Sequence, residues 1–197
     1  MKGMKAASRN LLIGLLALGL SGCGAVVVGG AATGVAVAHD RRTTGTVVED
    51  QGIFLKAITI RREDQELKQK SNINVDVYNM QVLLTGQAEN AALVESYVQR
   101  VAEIPHVRNV YNEVTIGAES TWGEATSDAY LTSRVKVALF NVKLSGFDPT
   151  RVKVTSSLGS VYLMGLLTPT EADAVTEEVR FVSGVKRVVK LFEYLQE

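Results

Sequence analysis

The phrase "HVRNVYNEV" at 106–114 returns as "GVKRVVKLF" at 184–192, 78 residues later. The surrounding residues repeat with it. "INVDVYNMQVLLTG" (73–86) lies over "VKVTSSLGSVYLMG" (152–165) at an offset of 79, so that Ile73 meets Val152, Val82 meets Val161, Leu84 meets Leu163 and Gly86 meets Gly165. At 78, Val94, Tyr97, Val101 and Ile104 fall on Ala172, Val175, Val179 and Val182, the three-and-four spacing of a helix's buried stripe. Upstream, "EDQGIFLKA" (49–57) falls on "SDAYLTSRV" (127–135). A chain built this way folds as two copies of one unit.

Each unit reads as a helix, a strand (about 73–78 and 151–156), a tight turn, a second strand ending at Gly86 or Gly165, a second helix and a last strand (about 107–116 and 185–195). This αββαβ order predicts an α+β fold, two tandem small three-stranded mixed sheets, each with two helices on one face. In "TSSLGSVYL" Gly159 supplies the positive φ of a hairpin turn. Asp128 or Ser127, and Thr170, are the expected helix N-caps of the second unit, with Glu171 and Asp173 in a first turn. Gly86 and Gly165 are expected to hold either a positive φ or a close helix approach.

The chain opens with Lys2, Lys5 and Arg9, then an apolar run from Leu11 to Leu20 too short to span a bilayer. That is the pattern of a bacterial export signal. Leu20, Ser21, Gly22 and Cys23 resemble the lipobox of bacterial lipoproteins, and Cys23 is the only cysteine. The resemblance implies a mature N-terminus at Cys23 carrying two or three acyl chains, enough for stable anchoring where one is not. Gly24, in place of the Asp typical of inner-membrane lipoproteins, sends the anchor to the outer membrane. The other reading is an uncleaved span, because Leu11 to Ala38 carries no charge, although five glycines between Gly22 and Gly34 interrupt it. Losing residues 1–22 removes three basic residues from a chain balanced at 21 basic and 21 acidic, leaving a net charge of −3. No field favours nucleic acid. The expected boundaries are a signal peptide at 1–22, a lipidated tether at 23–45, a first domain at 46–117, a linker at 118–126 and a second domain at 127–197. Fully extended, 24–38 reaches at most about 50 Å.

The doubled unit, with "VLLTG" and "VYLMG" before the second helix and "SGVKRV" before the last strand, resembles the BON domain. Two such repeats behind a lipobox are similar to the dual-BON outer-membrane lipoproteins. The resemblance implies a non-enzymatic protein of the periplasmic face that binds anionic phospholipid, supports envelope integrity and gathers at division sites. It also implies that the first helix of the second repeat meets the lipid, through Tyr130 after "SD" and Val135 a turn later. The first repeat departs from the pattern at His106, which stands where the second has Gly184.

Helical geometry over "SDAYLTSRVKVALFNVKL" tests that implication. At 100° per residue Leu131, Val135, Ala138, Leu139 and Val142 share a core face. Tyr130 and Val137 lie off it beside Arg134 and Asn141, and Phe140 lies on the far side. An exposed ring and aliphatic flanked by Arg suit a headgroup region. The candidate phospholipid-contacting residues are therefore Tyr130, Arg134, Val135, Val137 and Asn141, the lipids phosphatidylglycerol or cardiolipin. Two alternatives stand beside this. Tyr130 and Val137 could pack on the first repeat or on the linker containing Trp122. The same face could instead dock a protein of the outer-membrane assembly machinery. Lys186, Arg187 and Lys190 invite a phosphate-binding reading but fit a solvated strand edge better. "RREDQELKQK" (61–70) reads as a solvated helix face with i,i+4 pairs. No cofactor is expected, and two histidines in non-equivalent places, with no nucleophile or phosphate-loop motif, argue against an enzyme.

Overall fold

In the computed structural model, residues 40–117 and 122–196 are described, with side chains in the helix that opens at Trp122 described from Thr126 onward. The first repeat runs α1 (Thr44–Glu63), α2 (Gln65–Lys70), β1 (Ser71–Tyr78), β2 (Gln81–Ala88), α3 (Ala91–Ala102) and β3 (Asn109–Ile116). The second runs α4 (Trp122–Ala138), two 3-10 turns (Leu139–Asn141 and Pro149–Arg151), β4 (Lys153–Ser157), β5 (Ser160–Leu167), α5 (Pro169–Arg180) and β6 (Arg187–Tyr194). In each repeat the middle strand pairs antiparallel with the first and parallel with the last. This is the mixed three-stranded sheet that the sequence order predicts. The signal peptide, Cys23 and the tether through residue 39 lie outside the described residues.

The hairpins close through left-handed pairs, Asn79–Met80 at φ 51 and 62 and Leu158–Gly159 at φ 52 and 82. Two central residues at positive φ match the right-handed twist of the strands. The same device secures both turns. Asp50, inside α1, accepts hydrogen bonds from Asn79 N–H (2.7 Å) and Met80 N–H (2.6 Å). Its counterpart Asp128, inside α4, accepts from Leu158 N–H (2.9 Å) and Gly159 N–H (3.3 Å). Asp128 is thus not an N-cap: α4 already runs from Trp122, and the carboxylate faces sideways onto the turn. Asp128→Ala leaves both turn donors without an acceptor, and should cost the second repeat about 1–3 kcal/mol in a denaturant melt.

Two further expectations need correction. The cap of α5 lies two residues earlier than Thr170: Thr168 is its N-cap, Pro169 takes the first helical position, and Glu171 completes a capping box by accepting from Thr168 N–H. In 61–70 the helix breaks at Asp64, which caps α2 and pairs with Arg100 at 2.8 Å. The expected i,i+4 pair there is Lys70–Glu66, at 2.8 Å.

β2 is buried along its whole length, which one layer of helices cannot achieve. Val82, Leu84 and Ala88 pack under α1 and α3, while Leu83 joins Tyr78, Tyr162, Met164 and Leu191 in a cluster between the two sheets. The repeats stand back to back. Asp76 and Thr155 are equivalent positions and bond each other (2.8 Å), as residues beside a quasi-two-fold axis do. Around them lie Lys153–Asp76 (2.9 Å), Arg187–Glu113 (2.6 Å) and Arg108–Glu193 (2.8 Å). Arg187 is exposed on the edge strand β6, as expected, but it is not free there: its partners are Glu113 and the Tyr162 hydroxyl of this seam.

The segment entering α1 is fastened to both repeats. Arg42 pairs with Asp40 and the buried Asp50 (2.6 Å each) and stacks 4.0 Å over the Tyr78 ring. Arg41 donates to Leu166 O (2.9 Å) and to Glu171 Oε1 (2.8 Å) in the second repeat. Burial pushes the Glu171 carboxyl up, but the hydrogen bonds from Arg41 and Thr168 N–H outweigh it and hold the group below its ordinary value. Residues 39–197 form one compact unit, and no helix among the described residues is long and apolar enough to cross a membrane.

Candidate functional site

α4 buries the face its sequence predicts. Leu131, Val135 and Leu139 sit in the second core with Val154, Leu163 and Val175, and Val142 packs at its margin. Ala138 is only half-buried. Val135 is 0% exposed, so it cannot touch a ligand directly; it fixes the helix on the sheet. The opposite side is open. Tyr130 is 66% exposed and Val137 68%, too open for the expected alternative of packing on the first repeat. A contact with Trp122's side chain lies outside the described residues.

These residues converge on a shallow groove of about 540 Å³ between α4 and the end of α5, lined by Tyr130, Arg134, Val137, Asn141, Phe181 and Val182. Phe181, 70% exposed, is a residue that the sequence reading missed. It follows the last residue of α5, beyond the buried stripe, with Arg180 4.5 Å from its ring centroid. Arg134 lies 5.8 Å from the Tyr130 ring centroid and donates to Ser183 O (3.0 Å), so its guanidinium is held at the rim. Phe140 is exposed as expected but does not line this groove. Three largely exposed apolar side chains, with the Arg134 guanidinium and an Arg180–Glu177 ion pair at the margin, make a surface apolar at its centre and charged at its edge. A lipid headgroup region or an apolar protein surface rimmed by acids complements it.

The loops after α3 and α5 superimpose in their bonding. Ile104 N–H donates to Val101 O, Val107 N–H to Ile104 O and Arg108 N–H to Met80 O; Val182, Val185 and Lys186 do the same to Val179, Val182 and Gly159. His106 at φ 71 takes the left-handed place that Gly184 fills at φ 100, and pairs with Glu49 at 2.9 Å. The departure at His106 thus leaves the loop geometry intact.

The BON domain model matches residues 61–118 and again 127–196. The Outer membrane lipoprotein DolP of Haemophilus influenzae is 36% identical over 177 residues, 89% of this chain and 90% of its own length. The 21 kDa hemolysin of Actinobacillus pleuropneumoniae is 36% identical over 157 residues, 80% of each chain. Among solved structures, CdsD, a structural protein of the type III secretion system of Chlamydia trachomatis, aligns over 73% of this chain and 92% of its own at 12% identity and a TM-score of 0.29. Two family matches covering more than half the sequence, on two αββαβ sheets of the same topology, place the chain in the BON-domain family, as a tandem member related to an outer-membrane lipoprotein.

Proposed function

We propose that the protein is held at the periplasmic face of the outer membrane by acyl chains on Cys23, and that its second BON domain binds anionic phospholipid through the Tyr130 face of α4. Phosphatidylglycerol and cardiolipin are the lipids in view, and the role is support of envelope integrity, including at division sites. The observation that carries the reading is the uncovered trio Tyr130, Val137 and Phe181 between Arg134 and Arg180. Aromatic rings favour headgroup depth, where guanidiniums meet phosphate. The second reading, a docking face for an outer-membrane assembly protein, draws on the same exposed aromatics, which are frequent anchors of protein interfaces.

Sedimentation of residues 39–197 with vesicles discriminates them. Binding to vesicles containing phosphatidylglycerol or cardiolipin, and not to purely zwitterionic ones, is expected. Failure to sediment with either would leave the docking reading. For the anchor, Cys23→Ala is expected to leave the protein soluble in the periplasm or as an uncleaved precursor. Mature size and unchanged outer-membrane fractionation in that variant would refute lipidation at Cys23.

A further inference from the structure

A second cleft opens beside the Tyr130 face, between the hairpin turn Leu158–Gly159 and the loop at Ser183–Gly184. Its walls carry Ser127, Asp128, Arg134 and Lys186. Lys186 has no ion-pair partner among the described residues, and its stem lies across Gly159, where an added Cβ would come within 2.9 Å of its Cδ. Among the described residues, Arg134 has no carboxylate partner; it donates to the Ser183 carbonyl and lies near the Tyr130 ring. The one carboxylate, Asp128, is engaged by the two turn amides. Among the described residues, two cations thus line a cleft whose one carboxylate already has its partners.

The first repeat supplies an internal comparison, because it has the equivalent turn and loop positions. There the position of Ser127 is Glu49 and that of Gly184 is His106, and the two side chains pair across the opening at 2.9 Å. The position of Lys186 is Arg108, neutralised by Glu193 at 2.8 Å. The position matching Glu193 across the repeat is Thr115, which offers Lys186 no charge. In the first repeat these positions are paired, one of them by Glu193 of the second repeat; in the second repeat they are left open and cationic, next to the apolar face.

We infer that the open cleft of the second repeat is a seat for a phosphate oxyanion, the phosphodiester of a lipid headgroup, held by Lys186 and Arg134 while the acyl side of the lipid lies toward Tyr130. The assignment rests on the membrane reading of the Tyr130 face and adds to it a specific headgroup contact. It also accounts for the second repeat, rather than the first, being the one that meets lipid.

The test uses residues 39–197 and two probes, phosphatidylglycerol vesicles and soluble glycerol 1-phosphate, with inorganic phosphate as a third arm. Lys186→Gln should weaken vesicle binding roughly fivefold, the worth of about 1 kcal/mol for one basic residue near an anionic surface. It should also abolish the amide shifts that glycerol 1-phosphate induces at Ser183 and Gly184. Lys190→Gln, four residues on in β6 and exposed, should do neither. The double change Ser127→Glu with Gly184→His copies the first repeat's closure and should match Lys186→Gln with Tyr130 untouched. Wild-type binding to anionic vesicles that Lys186→Gln leaves unchanged would overturn the seat while sparing the membrane reading. No wild-type vesicle binding would overturn both. Shifts with inorganic phosphate, alongside vesicle binding indifferent to Lys186, would assign the cleft to free phosphate and overturn the lipid assignment.

Discussion

Gly86→Val is expected to unfold the first repeat, with a loss on the order of 4–5 kcal/mol. Gly86 sits within β2 at φ 111, where a side chain is strained, and an added Cβ would fall 2.0 Å from the carbonyl oxygen of Asn72. That oxygen belongs to the paired backbone of β1, so it cannot move without breaking the ladder. The equivalent change at Gly165 is a useful contrast. Gly165 has no positive φ, and its added Cβ would lie 2.9 Å from Arg151 O in a 3-10 turn. A close approach is present there, as expected, but from a turn rather than from a helix. Gly165→Val should cost about 1–3 kcal/mol. Thermal melts of the two variants, with hydrogen exchange to show which repeat opens, check the order; equal losses would mean that the close approaches do not set the cost.

Tyr130→Glu should lower affinity for anionic vesicles by roughly tenfold or more. It removes a ring favoured at headgroup depth and adds a charge that costs about 1 kcal/mol near an anionic surface. Folding should hold, because Leu131, Val135 and Leu139 remain in the core and Tyr130 contributes nothing to it. Arg134→Glu should act in the same direction and more strongly at low salt, its contribution being screened. Phe181→Glu should reproduce Tyr130→Glu from the other wall of the groove. Circular dichroism on each variant separates loss of binding from loss of fold. A folded Tyr130→Glu that sediments normally would move the lipid contact elsewhere and favour the docking reading.

The repeat made most of this fold readable, because each apolar stripe appears twice and each copy checks the other. Tyr130, Arg134, Val137 and Asn141 could be found together because helical spacing alone puts them beside one another. Val135, proposed through resemblance, fell in the core by that same geometry. Phe181 escaped because it comes after α5, and its place beside Tyr130 depends on how two helices pack. Asp128 looked like a cap because Ser and Asp precede an apolar run. The signal against that was Asp50, an aspartate at the matching position in mid-helix. The Thr168 cap was also legible, since Thr-Pro-Thr-Glu is a capping box with proline at the first helical position. Arg187 could not be read, because its partner Glu113 lies in the other repeat.

The quasi-two-fold seam has the form of a dimer interface written into one chain. Its ion pairs are substantially open to water, with Arg187 and Arg108 side chains 54% and 50% exposed, so each adds little by itself. Only five residues, 117–121, join the end of β3 to the start of α4. That shortness makes docking of the repeats an intramolecular event at an effective concentration on the order of millimolar. The seam is thereby kept closed without having to hold two separate molecules together at the dilution of a cell envelope. Free of that demand, it could diverge until Glu193 neutralised Arg108 on one side of the axis while Lys186, facing Thr115 on the other, kept its charge.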